Sequence, residues 1–249
     1  MNATCLDYIK NSNIIVSTMK DILAKNSTFV RGRIAEVCDE HNRDVDDISI
    51  VAVTKSFPAS LISTAVAAGF QDIGESRVQE AESKIDELGR IACYHLIGHL
   101  QTNKAKKAVQ LFDVIQSVDS LKLALEINKA AGSEERKIEC YIQLNSSGED
   151  QKFGVASGDC LELIKKTSEL KNIKLTGLMT IGPFTDSEKA IRSAFSRCRE
   201  LFYKGQDICG SNFEHLSMGM SDDYPLAIAE GSTTIRLGSA LFGPRPAKA

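Results

Sequence analysis

Three stretches hold the residues with chemistry to offer. Lys55 follows the apolar run IVAVT and precedes Ser-Phe-Pro, which puts it at the end of a strand. A lysine amine held there, partly out of water, forms a Schiff base with an aldehyde or ketone. A lysine that has simply reached solvent is the plain alternative. The stretch HLSMGMSDD (215–223) places Gly219 between two methionines and Ser221 ahead of an apolar helical segment. Ser221 reads as the N-cap of that helix, with Asp222 and Asp223 favourable in its first turn. Nothing marks the two carboxylates as an acid–base pair. The third stretch, GSTTIRLGSALFG (231–243), reads as a strand from Thr233 to Leu237, then a short helix opened by Gly238-Ser239. Glycine permits close backbone approach, and free N–H groups at a helix start bind phosphate. Strand alternation can aim Arg236 inward, where it needs an acceptor: a ligand nitrogen, a carboxylate or a structural ion-pair partner.

Other residues are less telling. Cys93, His95 and His99 fall at even spacings, a pattern a metal could use. The same alternation explains a buried cysteine and a satisfied core histidine, and no metal is expected. His99, at the strand's end, is a candidate proton donor. Lys104, Lys106 and Lys107 read as a solvated helix face. There is no G-x-x-x-x-G-K-[ST], no G-x-G-x-x-G and no G-x-S-x-G, so nucleotide folds and hydrolase elbows gain no support.

The elements that must position these residues follow from hydrophobic period. Short apolar runs recur at 48–54, 70–74, 92–98, 112–118, 138–144, 173–181, 213–218 and 233–238, giving eight candidate strands. Helical stripes lie between them: Leu61, Ile62, Ala65 and Val66; Leu121, Ala124, Leu125 and Asn128; and a long one running from Ala190 through Phe195 and Cys198 to Phe202. Two helices open the chain, one with Ile15, Met19, Ile22 and Leu23 on a face, the next with Val30, Ile34, Val37 and Cys38. Strand–helix alternation implies βαβ units and a parallel sheet. Eight repeats predict a (β/α)8 TIM barrel, with an open doubly wound sheet as the rival. One domain spans residues 1–249, with N-terminal helices in 1–45 and the barrel core in 46–249. In a barrel, chemistry sits at the C-terminal ends of the strands. That rule selects Thr54-Lys55-Ser56, Gly74-Glu75-Ser76, Gly98-His99, Asn145-Ser146, Met179-Thr180, Ser217-Met218-Gly219 and Gly238-Ser239.

Composition narrows the function classes. The 249 residues suit one barrel of about 250. With 43% hydrophobic and 25% charged residues the chain has a globular balance, which excludes disordered and fibrous classes. Its 30 basic and 33 acidic residues leave a net charge of −3, with no positive field for nucleic acid or anionic membrane. No apolar run approaches the ~18 residues of a membrane helix, and no signal-peptide pattern opens the chain. Seven cysteines without C-x-x-C spacing read as reduced thiols of a cytoplasmic protein. Asn2, Asn26 and Asn145 begin N-x-S/T triplets that read as chance matches.

The stretches VAVTKSFP, IGESRVQEAESKI, YHLIGHLQTNK, GLMTIGP and HLSMGMSDDYPLAIAEGSTTIRLGSALFG resemble the pyridoxal phosphate homeostasis proteins, from about residue 30 onward. The resemblance implies a fold-type III barrel similar to the N-terminal domain of alanine racemase. It implies that Lys55 carries pyridoxal 5'-phosphate as a reversible aldimine and that Arg236 faces the pyridine nitrogen. It further implies that Ser217 and the backbone of Gly238 and Ser239 hold the phosphate, with Met218 and Gly219 bordering that cradle. The family often has Asn where this chain has Ser76, whose shorter side chain would pack the ring less well. The implied role is to buffer the cofactor and supply it to apo-enzymes. Alanine racemases use a lysine and a tyrosine, the latter from a β-domain expected to be absent here. A racemase using Lys55 with His99 or Tyr224 is the alternative, and a cofactor-free aldolase-type barrel a further one. Opening helices that covered the barrel's bottom would let it stand as a monomer.

Overall fold

The computed structural model describes residues 5–149 and 153–244, with side chains from residue 19 onward. Asn2 and the side chains of Cys5 and Ile15 lie outside the described residues.

Eight parallel strands close into a ring: β1 Ser49–Val53, β2 Asp72–Glu75, β3 Cys93–Leu96, β4 Val114–Val118, β5 Ile138–Asn145, β7 Ile173–Thr180, β8 His215–Ser217 and β9 Thr234–Leu237. A two-residue strand, β6 Val155–Ala156, pairs with the end of β5 beside this ring. The rival open sheet is overturned by two pairings. The first and last strands meet in register, Ser49 against Thr234 and Val51 against Arg236, and β4 pairs with β5. Six of the eight strands lie within the expected runs, and β2 and β5 each extend one residue past theirs, to Glu75 and Asn145. They are short and apolar because both faces are covered; every residue of β4 is buried.

Helices α2 Ala59–Ala67, α3 Val78–Leu88, α4 Ala105–Leu111, α5 Leu121–Ser133, α6 Cys160–Ser168, α7 Glu188–Cys209, α8 Tyr224–Ala229 and α9 Ser239–Phe242 follow the strands. Each buries one stripe. On α7 it is Ile191, Ala194, Phe195, Cys198, Leu201 and Phe202. The α5 stripe is rotated from the expected one. Leu123, Ala124, Ile127 and Ala131 face the sheet, while Leu125 is 48% exposed.

The expected pair of opening helices is a single helix, α1 Cys5–Glu40. The segment between the two expected helices, Asn26-Ser27-Thr28, contains neither glycine nor proline. Thr28 Oγ1 bonds back to the Ala24 carbonyl (3.1 Å), and Asn26 Nδ2 donates to the Leu241 carbonyl on α9 (3.0 Å). Leu23, Val30, Ile34 and Val37 then form one stripe along it, buried against α2, α8 and α9. The helix therefore lies among the outer helices; it does not plug the barrel.

Candidate binding site at the mouth of the barrel

Lys55 leaves β1 half-buried, in a loop that is tightly held. Thr54 Oγ1 donates to Glu75 Oε1 at the end of β2 (2.6 Å). Lys84, reaching inward from α3, donates to the Thr54 carbonyl (2.8 Å), to Glu75 Oε1 (2.7 Å) and to Glu80 Oε1 (2.8 Å). Glu80 in turn accepts from the Ser56 N–H (2.5 Å). Ser56 has φ 67°, a left-handed conformation that costs energy in a non-glycine residue unless its surroundings hold it. Burial pushes the Glu75 carboxyl up, against the pull of Lys84, and Glu75 Oε2 has no partner among the described residues. Burial also acts on Glu80, but the bonds from Lys84 and Ser56 outweigh it and hold that carboxyl below its ordinary value. The lysine's backbone is thus pinned from both sides by side chains of β2 and α3.

Arg236 points into the barrel from β9 and is 3% exposed. Nη1 donates to Ser217 Oγ (2.7 Å) and Nη2 to the Thr180 carbonyl (2.8 Å), which uses two of its five N–H groups. Ser217 Oγ donates onward to Gln116 Oε1 (2.7 Å). Burial pushes the guanidinium down to about 10, opposed by Asp223, so it stays charged at neutral pH.

The third component is a pair of backbone donors. The N–H groups of Gly238 and Ala240, at the start of α9, converge on Ser221 Oγ at 3.2 and 3.0 Å. Ser221 does not cap α8, whose N-cap position is Asp223; it reaches across to α9 instead. Gly238 lies against the end of β1, since a Cβ there would sit 3.6 Å from the Val53 carbonyl. Gly219, with φ 93°, accepts the Arg236 N–H, and a Cβ would lie 2.5 Å from Ala227 Cβ. Only glycine fits.

The other predicted residues divide. Ser76 follows β2 at the mouth, half-buried. The Met218 side chain is fully buried in the core between sheet and helices, so only its backbone borders the cradle. Ser217 is committed to Arg236 and Gln116. Asp223 is buried and its carboxyl pushed up by that burial, unlike exposed Asp222. Tyr224 is 5% exposed and its side chain packs in the core near α1. His99 stacks on Phe153 (3.9 Å between centroids) and meets Asp119 at 3.3 Å. Lys107 pairs with Glu82 on the outer helices.

These groups are donors, apart from the carboxylates that hold the loop. An amine, a charged guanidinium and a converging N–H pair around one mouth fit an anionic ligand with a carbonyl and a ring acceptor. The Gly238–Ala240 pair already holds an oxygen, as it would hold one of a phosphate.

The model of the alanine racemase N-terminal domain matches residues 33–246. A pyridoxal phosphate homeostasis protein of Pseudomonas aeruginosa is 38% identical over 224 residues, covering 90% of this chain and 96% of that one. The chain belongs to the pyridoxal phosphate homeostasis protein family. Among solved structures, a similar one is PipY of Synechococcus elongatus, determined with pyridoxal phosphate bound. It superposes with a TM-score of 0.74 at 37% identity, covering 84% of this chain and all of that one. Alanine racemase of Corynebacterium glutamicum shares only the fold, with a TM-score of 0.73 at 14% identity over 92% of this chain and 63% of its own. This chain therefore shares the racemase barrel.

Proposed function

We propose that this chain binds pyridoxal 5'-phosphate at the barrel mouth through Lys55 and serves to buffer and deliver it. The observation that carries the reading is the Gly238–Ala240 N–H pair beside the end of β1, one residue after the strand that bears Arg236. When bound, the cofactor supplies an aldehyde that condenses reversibly with a primary amine. Lys55 is that amine. Gly238, Ser239 and Ser221 take the phosphate, with Met218 and Gly219 as backbone walls. Ser217 steadies Arg236, and Ser76 lines the mouth. Arg236 keeps its proton and leaves a facing ring nitrogen without one.

An electron sink tuned in this way is poor, which favours holding over turnover. The racemase alternative needs a second acid–base group, and its candidates are badly placed. Tyr224 is in the core, and His99 is stacked and paired away. Delivery to apo-enzymes by a cytoplasmic monomer follows from the same reading. The six described cysteines are all free, which supports a reducing compartment. Among the described residues no helix is long and apolar enough to cross a membrane.

The test is an absorption spectrum of the purified protein before and after borohydride, followed by peptide mapping. A yellow band that vanishes on reduction, with the label on Lys55 and none in Lys55→Ala, is expected. A protein that neither shows nor acquires the band with added cofactor overturns the reading. Solvent deuterium appearing at Cα of alanine or serine at enzyme-like rates would favour the racemase.

A further inference from the structure

At the opposite end of the barrel, the first residues of the strands surround a cavity of about 210 Å³. Its lining includes Asp72, Cys93 and His95 together with Glu139, Tyr141 and His215. The first three are brought together by register. Cys93 and His95 are two apart on β3 and share the inward face, while Asp72 on β2 pairs directly with Cys93. Their ligand atoms, one oxygen, one sulfur and one nitrogen, all lie within 4.8 Å of one another. His95 Nε2 stands 3.5 Å from Cys93 Sγ and 3.0 Å from Asp72 Oδ1.

We propose that Asp72, Cys93 and His95 form a binding site for a zinc-class divalent ion at the base of the barrel. The distances carry the argument. Ordinary zinc bond lengths at tetrahedral angles place a sulfur and a nitrogen ligand about 3.5 Å apart, and a nitrogen and an oxygen about 3.3 Å apart. The first matches the observed separation and the second requires about 0.3 Å of relaxation. A thiolate, an imidazole and a carboxylate select zinc or cobalt over magnesium and calcium, which want oxygens alone. Three protein ligands leave a fourth position facing the cavity, and the Asp72 side chain, 37% exposed, opens it to solvent.

The surroundings are those of a ligand set. His95 Nδ1 is held by Gln116 (2.9 Å), the outer hydrogen bond that orients a metal-bound imidazole. Binding requires the Nε2 lone pair, so the ring proton moves to Nδ1; the Gln116 amide then turns its oxygen toward that proton and its NH2 toward Ser217 Oγ, giving up the bond it accepts from Ser217. Glu139 is occupied by Thr176 Oγ1 (2.9 Å) and is not counted as a ligand. Cys93 binds as its thiolate, so each ion bound releases that thiol's proton to solvent.

The site is tested on the full chain, freed of metal with a chelator and titrated with cobalt(II). Spectra are read as differences against the cobalt-free sample. One cobalt per chain is expected, with the strong visible bands of four-coordinate cobalt and a sulfur-to-cobalt charge-transfer band. Zinc should displace it. Cys93→Ser should abolish the charge-transfer band, Gln116→Leu should weaken binding by about 10- to 100-fold, and Cys209→Ser should change nothing. A wild-type chain without these bands, or a charge-transfer band that survives in Cys93→Ser, overturns the proposal. If Cys93→Ser does not fold, Asp72→Asn decides: at least about tenfold weaker binding supports the site, and unchanged affinity rejects it. None of these readouts depends on Lys55.

Discussion

Lys84 is a lysine turned inward, 6% exposed, with three oxygens on one ammonium. Removing it leaves the Glu75 carboxylate buried without its counter-charge. Lys84→Met should therefore cost about 3–5 kcal/mol in urea unfolding, and adding Glu75→Gln should recover part of that loss. Glu80 sets an acid limit on the same loop. Its folded-state value lies below that of the unfolded chain, about 4.3, so its contribution is complete above that pH and disappears as pH falls through the lower value. Between about pH 5 and 3, the melting temperature should fall further in the wild type than in Glu80→Gln. Ser221→Ala tests the phosphate cradle, with an expected rise in the Kd for pyridoxal phosphate. The sequence pointed to Lys55, Arg236 and Gly238 because each stands at a strand end or inside a strand. It did not point to Lys84, since a lysine on an amphipathic helix looks solvated. Nor did it reveal Ser221's partner, since a cap and a cross-loop acceptor share one local pattern. Asp72 was not read beside Cys93 and His95 for a similar reason: it joins Cys93 through strand register, which sequence spacing does not encode.

Among the elements, α1 departs most from the sequence reading, and it shows why. Hydrophobic period picked out Leu23, Val30, Ile34 and Val37 as buried positions, but period does not say whether two stripes belong to one helix. The answer lay in the bond from Asn26 to α9, a contact 215 residues away in sequence. If α1 is part of the barrel's outer layer, Ile34→Ala, at a position 3% exposed, should cost about 2–5 kcal/mol in denaturant unfolding. Phe29→Ala, five residues earlier on the same helix and 72% exposed, should change stability by no more than about 0.5 kcal/mol. The strands were more legible. A parallel strand covered on both faces is a continuous apolar run, and eight such runs leave few arrangements.

At the scale of the whole molecule, the closed sheet depends on small residues where neighbouring strands crowd. A Cβ on Gly177 in β7 would lie 2.1 Å from the His215 carbonyl in β8. Gly177→Ala should open that seam at a cost of about 3 kcal/mol and loosen the base cavity, which His215 lines. Calorimetry of the variant, together with its cobalt spectrum, would read both effects.

The pairing of Ser49 with Thr234 also has a consequence in time. A ribosome makes β1 and Lys55 early, and it makes Arg236, Gly238 and Ala240 some 180 residues later. Until β9 emerges and docks beside β1, the nascent chain carries the lysine without the guanidinium or the N–H pair that accompany it. Contacts this distant in sequence also form slowly. The proposed phosphate cradle is therefore among the last parts of the protein to form, and a half-made chain holds the lysine without it.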